Sequence, residues 1–398
     1  MRGQLVTRTW EPRSEPMGAR RFRHPCSYDA FVPARLANEQ FSLAVDVAAD
    51  FDDAAAALND LQRSDVSLLR PLTHLLMRTE SIASSRIEEV NVDARGLAQA
   101  EARQRIGRSV GSRAREVIGN VEAMQFAIDR AVRVPALGLT ELLEVHSRLM
   151  RGRLTSAGRV RSSQNWIGGN DHNPCGADFV PPPPEHVDEL MDDLLAFCNS
   201  DETPAMFQAA MAHAQFETIH PFEDGNGRTG RALIHVVLRR RRVAEQMIMP
   251  ISLAFSRNRR AYVGGLVAFR SGDIDEWLAT FANAVLQSVH VAMRYVDHVS
   301  ELLNSWRDRL RDRDNPRADA VAWQILAELP AFPVFNRADA IALSERSARA
   351  IDQGLRQLEA AGVLVPVGDQ PPGRRSWEPA GLLDLISALE SGADPPLG

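Results

Sequence analysis

The sequence predicts a mainly α-helical protein with one short β-hairpin near its middle and a winged helix-turn-helix at its C-terminal end. Three observations carry that expectation. Apolar residues recur at helical spacing over most of the 398 residues, while a single stretch, 152–184, replaces that pattern with Gly, Asn and Pro. Beyond residue 317, short helical runs give way to Val363, Leu364 and Val365, then turn residues, then Trp377. The composition, 44% apolar and 25% charged with a net charge of −6, is that of a soluble globular chain of two or three domains.

From Asp46, Ala54, Ala55, Ala57, Leu58 and Leu61 define a helix, and Leu68, Leu72, Leu75 and Leu76 continue the pattern past Pro71, which suits a helix start. Before it, residues 1–35 are rich in Arg, Pro and Ser without periodicity and read as an extended arm with a loosely ordered beginning. Further helices are expected over 83–104, 112–133 and 140–150, then over 185–199, 205–219, 229–241 and 260–309. The stretch 152–184, ending in Pro181 to Pro184, reads as a loop or short hairpin. The alternating charges of 307–316 read as a linker or a solvated helix end. In the last module Ala348, Ile351, Leu355 and Leu358 form one apolar stripe, and Gly362 closes that helix in a left-handed position.

Several classes of function are excluded. All 46 basic side chains are arginine, which removes Schiff-base chemistry and the lysine of a Walker A loop. Cys26, Cys175 and Cys198 are far apart and odd in number, against a disulfide scaffold or a CxxC zinc module; Cys175 and Cys198 read as incidental thiols in a reducing cytoplasm. No apolar run is long enough for a membrane span, and the Arg-bearing start lacks the apolar stretch of a secretory signal.

The segment His220-Pro221-Phe222-Glu223-Asp224-Gly225-Asn226-Gly227-Arg228-Thr229-Gly230-Arg231 falls between two helical runs. Pro221 cannot continue the preceding helix, so His220 is presented at its end. Gly225 and Gly227 let backbone amides converge at the start of the next helix, which is an anion site, and Arg228 and Arg231 add two guanidinium forks. Asp224 supplies a hard carboxylate suited to Mg²⁺ beside phosphates, and His220 titrates near neutrality, as a base for an incoming hydroxyl must. The parts describe phosphoryl or nucleotidyl transfer. A metal-dependent hydrolase using His220 and Asp224 as ligands fits the glycines and arginines less well.

This segment resembles the signature HxFx(D/E)GNGRxxR of Fic-domain proteins, many of which transfer AMP from ATP to a hydroxyl of a target protein. The likeness extends to Ser163 through Gly169 and to Phe179 through Pro184, which are similar to the family's flap. It implies a Fic-type helical core, ATP and Mg²⁺ as cofactors, and a protein substrate bearing a Ser, Thr or Tyr hydroxyl, this chain itself included. By the same resemblance His220 is the base and Asp224 holds Mg²⁺. The amides of Gly225, Asn226 and Gly227 form the anion hole, Asn226 also orients the α-phosphate, and Arg228 and Arg231 hold the β- and γ-phosphates. Phe222 packs beneath the loop, and the flap backbone at Asn165, Trp166, Ile167, Gly168 and Gly169 docks the target by strand addition.

Ser84-Ser85-Arg86-Ile87-Glu88-Glu89 is similar to the family's inhibitory motif (S/T)xxxE(G/N). Ser84 takes its first position and Glu88 pairs with Arg231, occupying the site of the ATP γ-phosphate; Glu89 replaces the expected Gly or Asn. The expected organisation is an arm over 1–35, an inhibitory helical segment over 36–110, the Fic core over 111–300, a linker over 301–316 and the winged helix over 317–398. Seven arginines and seven acids between Arg317 and Trp377 cancel, so DNA binding is not favoured over protein docking, although Arg346, Arg349 and Arg356 lie on the candidate recognition helix. A homodimer is left open. Two alternatives remain beside adenylylation: the same site run in reverse for de-adenylylation, and a nucleotide-sensing regulator acting on DNA. His213 reads as a packed core histidine, and Tyr262 as a fold residue near the nucleotide base.

Overall fold

A computed structural model describes residues 3–12, 24–37, 39–63, 66–131, 133–245, 247–344, 346–367 and 375–393. Arg2, Arg13, Arg20, Arg21, Arg23, Arg374 and the turn residues Gly368, Pro371, Pro372 and Gly373 lie outside them. In chain order the elements are β1 (Gln4–Trp10), β2 (Cys26–Val32), α1 (Val45–Gln62), α2 (Val66–Ile87), α3 (Ala94–Arg105), α4 (Ser112–Ala131) and α5 (Leu139–Leu149). They continue with α6 (Val187–Asn199), α7 (Ala205–Ile219), α8 (Asn226–Arg240), α9 (Ile251–Arg257), α10 (Arg259–Ser271) and α11 (Ile274–Arg313). The last are α12 (Val321–Glu328), β3 (Phe335–Asn336), α13 (Arg337–Leu343), α14 (Ala348–Ala360), β4 (Leu364–Pro366), β5 (Ser376–Pro379) and α15 (Leu382–Ser391).

Two compact units divide the chain: Met1–Asp53 with Glu122–Val243 and Asn258–Asn283, and Ala54–Val121 with Ala244–Arg257 and Ala284–Gly398. In the first, α7 is the central helix. Every residue from Met206 to Ile219 is buried, which its Ala- and Met-rich sequence permits on all faces. It packs on α8 at Gly230, where a Cβ would come within 2.6 Å of Glu217 Oε1 and 3.0 Å of the Phe216 ring, so any larger residue would force those side chains to move. Trp277 fills the opposite side and donates its indole N–H to the Ala210 carbonyl at 3.0 Å.

The arm differs from the expectation. Its described residues form an antiparallel pair, β1 on β2, with Gln4 opposite Val32 and Trp10 opposite Cys26. Thr7 donates to Asp29 across it at 2.6 Å. The pairing partner lies beyond the Arg-rich stretch, so no local period announced it. The cysteine reading is also corrected: Cys26, at the start of β2, is joined in a disulfide to Cys175, and a separation of 149 residues hid the pairing. Cys198 is a buried free thiol, pushed up to about 12 by burial.

The second unit holds the α2 segment. α2 begins at Val66, five residues before Pro71, and the expected helix over 83–104 breaks between Ile87 and Ala94, where Asp93 caps α3 by accepting from the Gly96 N–H at 2.7 Å. Glu80 of α2 is fully buried and accepts from both the backbone N–H and the hydroxyl of Ser252, capping α9. The run 260–309 is two helices parted at Gly272 and Asp273, and α11 then continues through the stretch read as a linker to Arg313, because Leu303, Trp306 and Leu310 bury one face of it. The described residues of the C-terminal module form four helices, α12 to α15, and a three-stranded antiparallel sheet in the order β3-β5-β4. Ile351, Leu355 and Leu358 of the apolar stripe are buried while Ala348 is exposed. Gly362 has the expected left-handed φ of 68°. Arg346, Arg349 and Arg356 are exposed, but Arg375 is held by Glu359 at 2.9 Å.

Candidate active site

Helix α7 ends at His220, whose φ of 51° is left-handed, a conformation costly for a side chain with a Cβ. Pro221 blocks helical continuation, and the turn is fixed on all sides. The His220 N–H donates to the Phe216 carbonyl at 2.8 Å, and the His220 carbonyl accepts from Arg161 Nε at 2.9 Å. The chain then crosses Phe222 to Gly225, which caps α8 with φ 79°. The left-handed φ favours glycine there, and a side chain at Gly225 would in addition press on Met150 Sδ at 2.8 Å. The first amides of α8, those of Asn226, Gly227 and Arg228, precede the first intrahelical bond, Thr229 N–H to the Gly225 carbonyl at 3.1 Å. That is an anion cradle by construction.

Three side chains that the sequence did not single out for this loop hold its shape. Phe222 is fully buried and stacks on His146 of α5 at 3.8 Å with nearly parallel rings. His146 Nδ1 accepts from the Gly158 N–H at 2.9 Å, so Nε2 carries the proton and donates it to the Asp224 carbonyl at 2.9 Å. Burial pulls its pKa down, in keeping with a neutral ring. Arg161 donates to carbonyls of His220, Ser163, Pro182 and Ile219, with its own N–H on Pro221, so one guanidinium ties flap, α7 and loop together. Asn165 of the flap is the third. Its Nδ2 lies 2.8 Å from His220 Nδ1 and 2.8 Å from the Phe222 carbonyl.

His220 is half-buried, and burial together with the positive charges of Arg161 and Arg270 pushes its pKa down to about 3. This overturns the expectation of a titration near neutrality: the ring is a neutral imidazole at physiological pH, with its lone pair available but a weaker base than a free histidine. The Asn226 side chain is buried and engaged. Its Oδ1 accepts from the Phe222 N–H at 2.8 Å, and its Nδ2 donates to the Phe222 carbonyl at 2.9 Å and lies 3.2 Å from His220 Nδ1. Arg228 and Arg231 are buried beneath the amides, Arg228 beside Met150 Sδ and Arg231 3.5 Å from the Tyr262 hydroxyl. Tyr262 in turn meets His213 Nε2 at 2.9 Å, and burial, with Arg231 adding to it, pushes His213 down to about 3, the packed core histidine expected. Asp224 is exposed. Its Oδ1 accepts from the Gly225 N–H at 2.6 Å, and Oδ2 lies 3.8 Å from Arg153.

Among the described residues no group of three or more His, Cys, Asp or Glu could cage a metal ion. A single outward carboxylate beside an anion cradle is nevertheless the donor set that suits Mg²⁺, which binds through one or two carboxylates plus phosphate oxygens.

The flap is less of a hairpin than expected. A single bridge joins Ile167 to Phe179, with the Ile167 N–H on the Phe179 carbonyl at 2.8 Å. Pairing cannot extend past Val180 on that side because Pro181 to Pro184 carry no N–H. Trp166 is anchored through its indole N–H on the Asn170 carbonyl at 2.6 Å, and Gly168 and Gly169 are exposed at the turn. The Phe31 N–H donates to the Val180 carbonyl, so β2 supports the flap's return strand, and the Cys26–Cys175 bond secures the flap loop to the same strand.

Ser84 is buried in the last turn of α2, and Glu88 stands exposed just past its end. The Glu89 N–H donates to the Arg86 carbonyl and the Val90 N–H to the Ser85 carbonyl, both at 3.0 Å, while Glu89 has φ 64°. This is a Schellman closure with Glu88 at the C-cap and Glu89 at the left-handed position that favours Gly or Asn. The last position of the motif therefore has a backbone reason, and Glu89 fills it at a cost in strain. Asn120 fixes the same turn, donating to the Ser81 carbonyl at 2.9 Å and to Ser85 Oγ at 3.2 Å.

Residues 136–238 match the Fic/DOC family and residues 49–129 match the Fic/DOC family N-terminal segment. Protein adenylyltransferase fic-1 of Caenorhabditis briggsae is 29% identical over 165 residues, 40% of this chain and 30% of that protein. The Caenorhabditis elegans protein of the same name is 28% identical over 199 residues, 48% and 35% respectively. The chain thus spans about a third of the length of these curated relatives. Among solved structures, a Fic family protein from Desulfovibrio desulfuricans G20 aligns with a TM-score of 0.54 at 20% identity, covering 86% of this chain and 98% of that one. A Fic domain containing signaling protein from Bacteroides thetaiotaomicron VPI-5482 gives 0.51 at 18%, covering 62% and 96%. At these identities the structures bear on the fold alone.

Proposed function

From the matches of residues 136–238 and 49–129 to the Fic/DOC family and from the geometry of the 220–231 loop, we propose that the chain belongs to that family and is a protein adenylyltransferase, moving AMP from ATP to a hydroxyl of a target protein. The observation that supports this best is the joining, by one short loop, of a neutral imidazole at the end of α7 to the open amide terminus of α8. An anion cradle alone fits any phosphate binder; a neutral ring beside it fits a reaction in which a proton leaves an attacking hydroxyl. The curated relatives named protein adenylyltransferases agree with that reading.

The Gly225 amide, expected in the anion hole, is instead taken by Asp224 Oδ1; in this account the amides of Asn226, Gly227 and Arg228 receive phosphate oxygens, and the guanidinium groups of Arg228 and Arg231 take those of the β- and γ-phosphates. The Asn226 side chain is engaged with Phe222 and His220, so its share in orienting the α-phosphate comes through its backbone N–H. Asp224 would hold Mg²⁺, which when bound neutralises charge on the phosphates. His220 takes the proton of the target hydroxyl through its unprotonated ring nitrogen. The hydroxyl oxygen bonds to the α-phosphorus as the bond to the β-phosphate oxygen breaks, and pyrophosphate leaves. The target is held by the flap over Asn165 to Gly169, mainly through main-chain groups. Glu88 restrains the reaction by competing with the γ-phosphate for Arg231.

Incubating the wild type, Glu88→Gly and His220→Ala with α-labelled ATP, Mg²⁺ and cell lysate tests this. The expected pattern is label on protein with the wild type, more with Glu88→Gly and none with His220→Ala. Absence of label under every condition overturns the activity, and equal label from wild type and Glu88→Gly removes Glu88 from its inhibitory role.

A further inference from the structure

The loop brings two asparagine amides to one nitrogen of His220. Asn165 Nδ2 lies 2.8 Å and Asn226 Nδ2 3.2 Å from Nδ1. In each case a second contact fixes which end of the amide is nitrogen, since both also donate to the Phe222 carbonyl, at 2.8 and 2.9 Å. Asn226 is further keyed by its Oδ1 on the Phe222 N–H. A ring nitrogen faced by two N–H donors must accept, so the proton of the neutral imidazole sits on Nε2. The two donors differ in origin. Asn226 belongs to the loop itself, whereas Asn165 comes from the flap, 55 residues earlier in sequence, and also lies 3.3 Å from the His220 carbonyl.

We propose that Asn165 is a positioning residue for His220: its side-chain amide reaches from the flap to hold the imidazole in its Nε2–H form, with the Nδ1 lone pair directed at the flap. This rests on the reading of His220 as the base, and it adds to that reading a link between the flap and the base. The nitrogen able to take a proton is the one bonded to a flap side chain. The other charged groups facing His220 are Arg161, at the entry to the flap, and Arg270 of α10. Both oppose a charged ring whatever occupies position 165, so the effect of Asn165 must be read as a difference between variants.

The test compares wild type, Asn165→Ala and Asn165→Asp, each labelled with ¹⁵N-histidine, the His220 signals being identified by their loss in His220→Ala. Imidazole nitrogen shifts report both the tautomer and the titration of this one ring. The wild type should show Nε2–H and the lowest midpoint and Asn165→Ala a higher one. Asn165→Asp, whose carboxylate accepts where the amide donated, should be highest, raised by at least about one pH unit over wild type and shifted toward Nδ1–H. Identical midpoints in the three proteins, or a wild-type ring protonated on Nδ1, would overturn the assignment. Parallel assays of AMP transfer against pH should move their acidic limb in the same order. If no variant transfers AMP, the adenylyltransferase reading fails, while the nitrogen shifts still decide the role of Asn165.

Discussion

Among the described residues four helix ends place a non-glycine residue in the left-handed region, and two of them, at His220 and Glu89, do so with different support. At His220, φ 51°, the strain is held by a following proline, by Arg161 on the carbonyl and by two asparagine amides on the ring. At Glu89, φ 64°, the backbone closure of α2 carries it, with Asn91 reaching the Glu89 carbonyl at 3.4 Å. The first is strain over-determined around the proposed base. The second is a residue standing where glycine would fit more easily, at the turn that presents Glu88. A catalytic turn needs its side chain in one place, whereas a restraining turn needs only to be closed well enough to hold, and strain in it weakens the hold.

Substitutions at the two ends should therefore behave unequally. The largest effect is expected for His220→Ala, which removes the proposed base and should lower AMP transfer by about 10²–10⁴-fold with the thermal midpoint little altered; a variant retaining near-normal transfer would place the base elsewhere. Next is Glu88→Gly. On the proposed competition of Glu88 with the γ-phosphate for Arg231, its removal should raise the initial rate roughly tenfold or more.

A third test uses Glu390 of α15, which is buried 3.6 Å from Arg86 in the Glu88 turn; burial raises its pKa from 4.5 to about 7 despite that arginine. Because the folded chain keeps this proton where the unfolded chain has released it, stability is lost as pH rises from about 4.5 to 7 and the loss is complete above. Glu390→Gln should remove that slope and exceed wild type by about 1–3 kcal/mol at pH 8, with no gain at pH 4. Denaturant melts at the two pH values would show it, and equal gains at both would exclude the titration as the cause. The smallest effect is expected at Glu89. Glycine there should stabilise the protein by about 1 kcal/mol and alanine should not, since only glycine relieves the left-handed strain. If alanine matched glycine, the closure would not be strained.

How much was legible in the sequence follows from how local each signal is. The 220–231 loop could be read residue by residue because Pro221, Gly225, Arg228 and Arg231 act on their immediate neighbours, and helix α7 was bounded correctly at 205–219 for the same reason. Arg161, His146 and the Asn165 side chain could not be read, because most of their partners are backbone groups brought near by the fold, and a carbonyl leaves no mark in a sequence. The Cys26–Cys175 bond and the β1–β2 pair failed to show for a like reason, both depending on segments that meet only after folding. Glu89 was noticed as a departure from a motif, but the reason the motif prefers Gly or Asn came from its φ and its two backbone bonds.

The central claim is that the bond broken lies between the α- and β-phosphates. Parallel incubation of Glu88→Gly with α-labelled and γ-labelled ATP, followed by denaturing electrophoresis, measures this directly. Label carried to protein from the α-position and none from the γ-position is the predicted result; transfer from the γ-position, or from neither, would contradict the account.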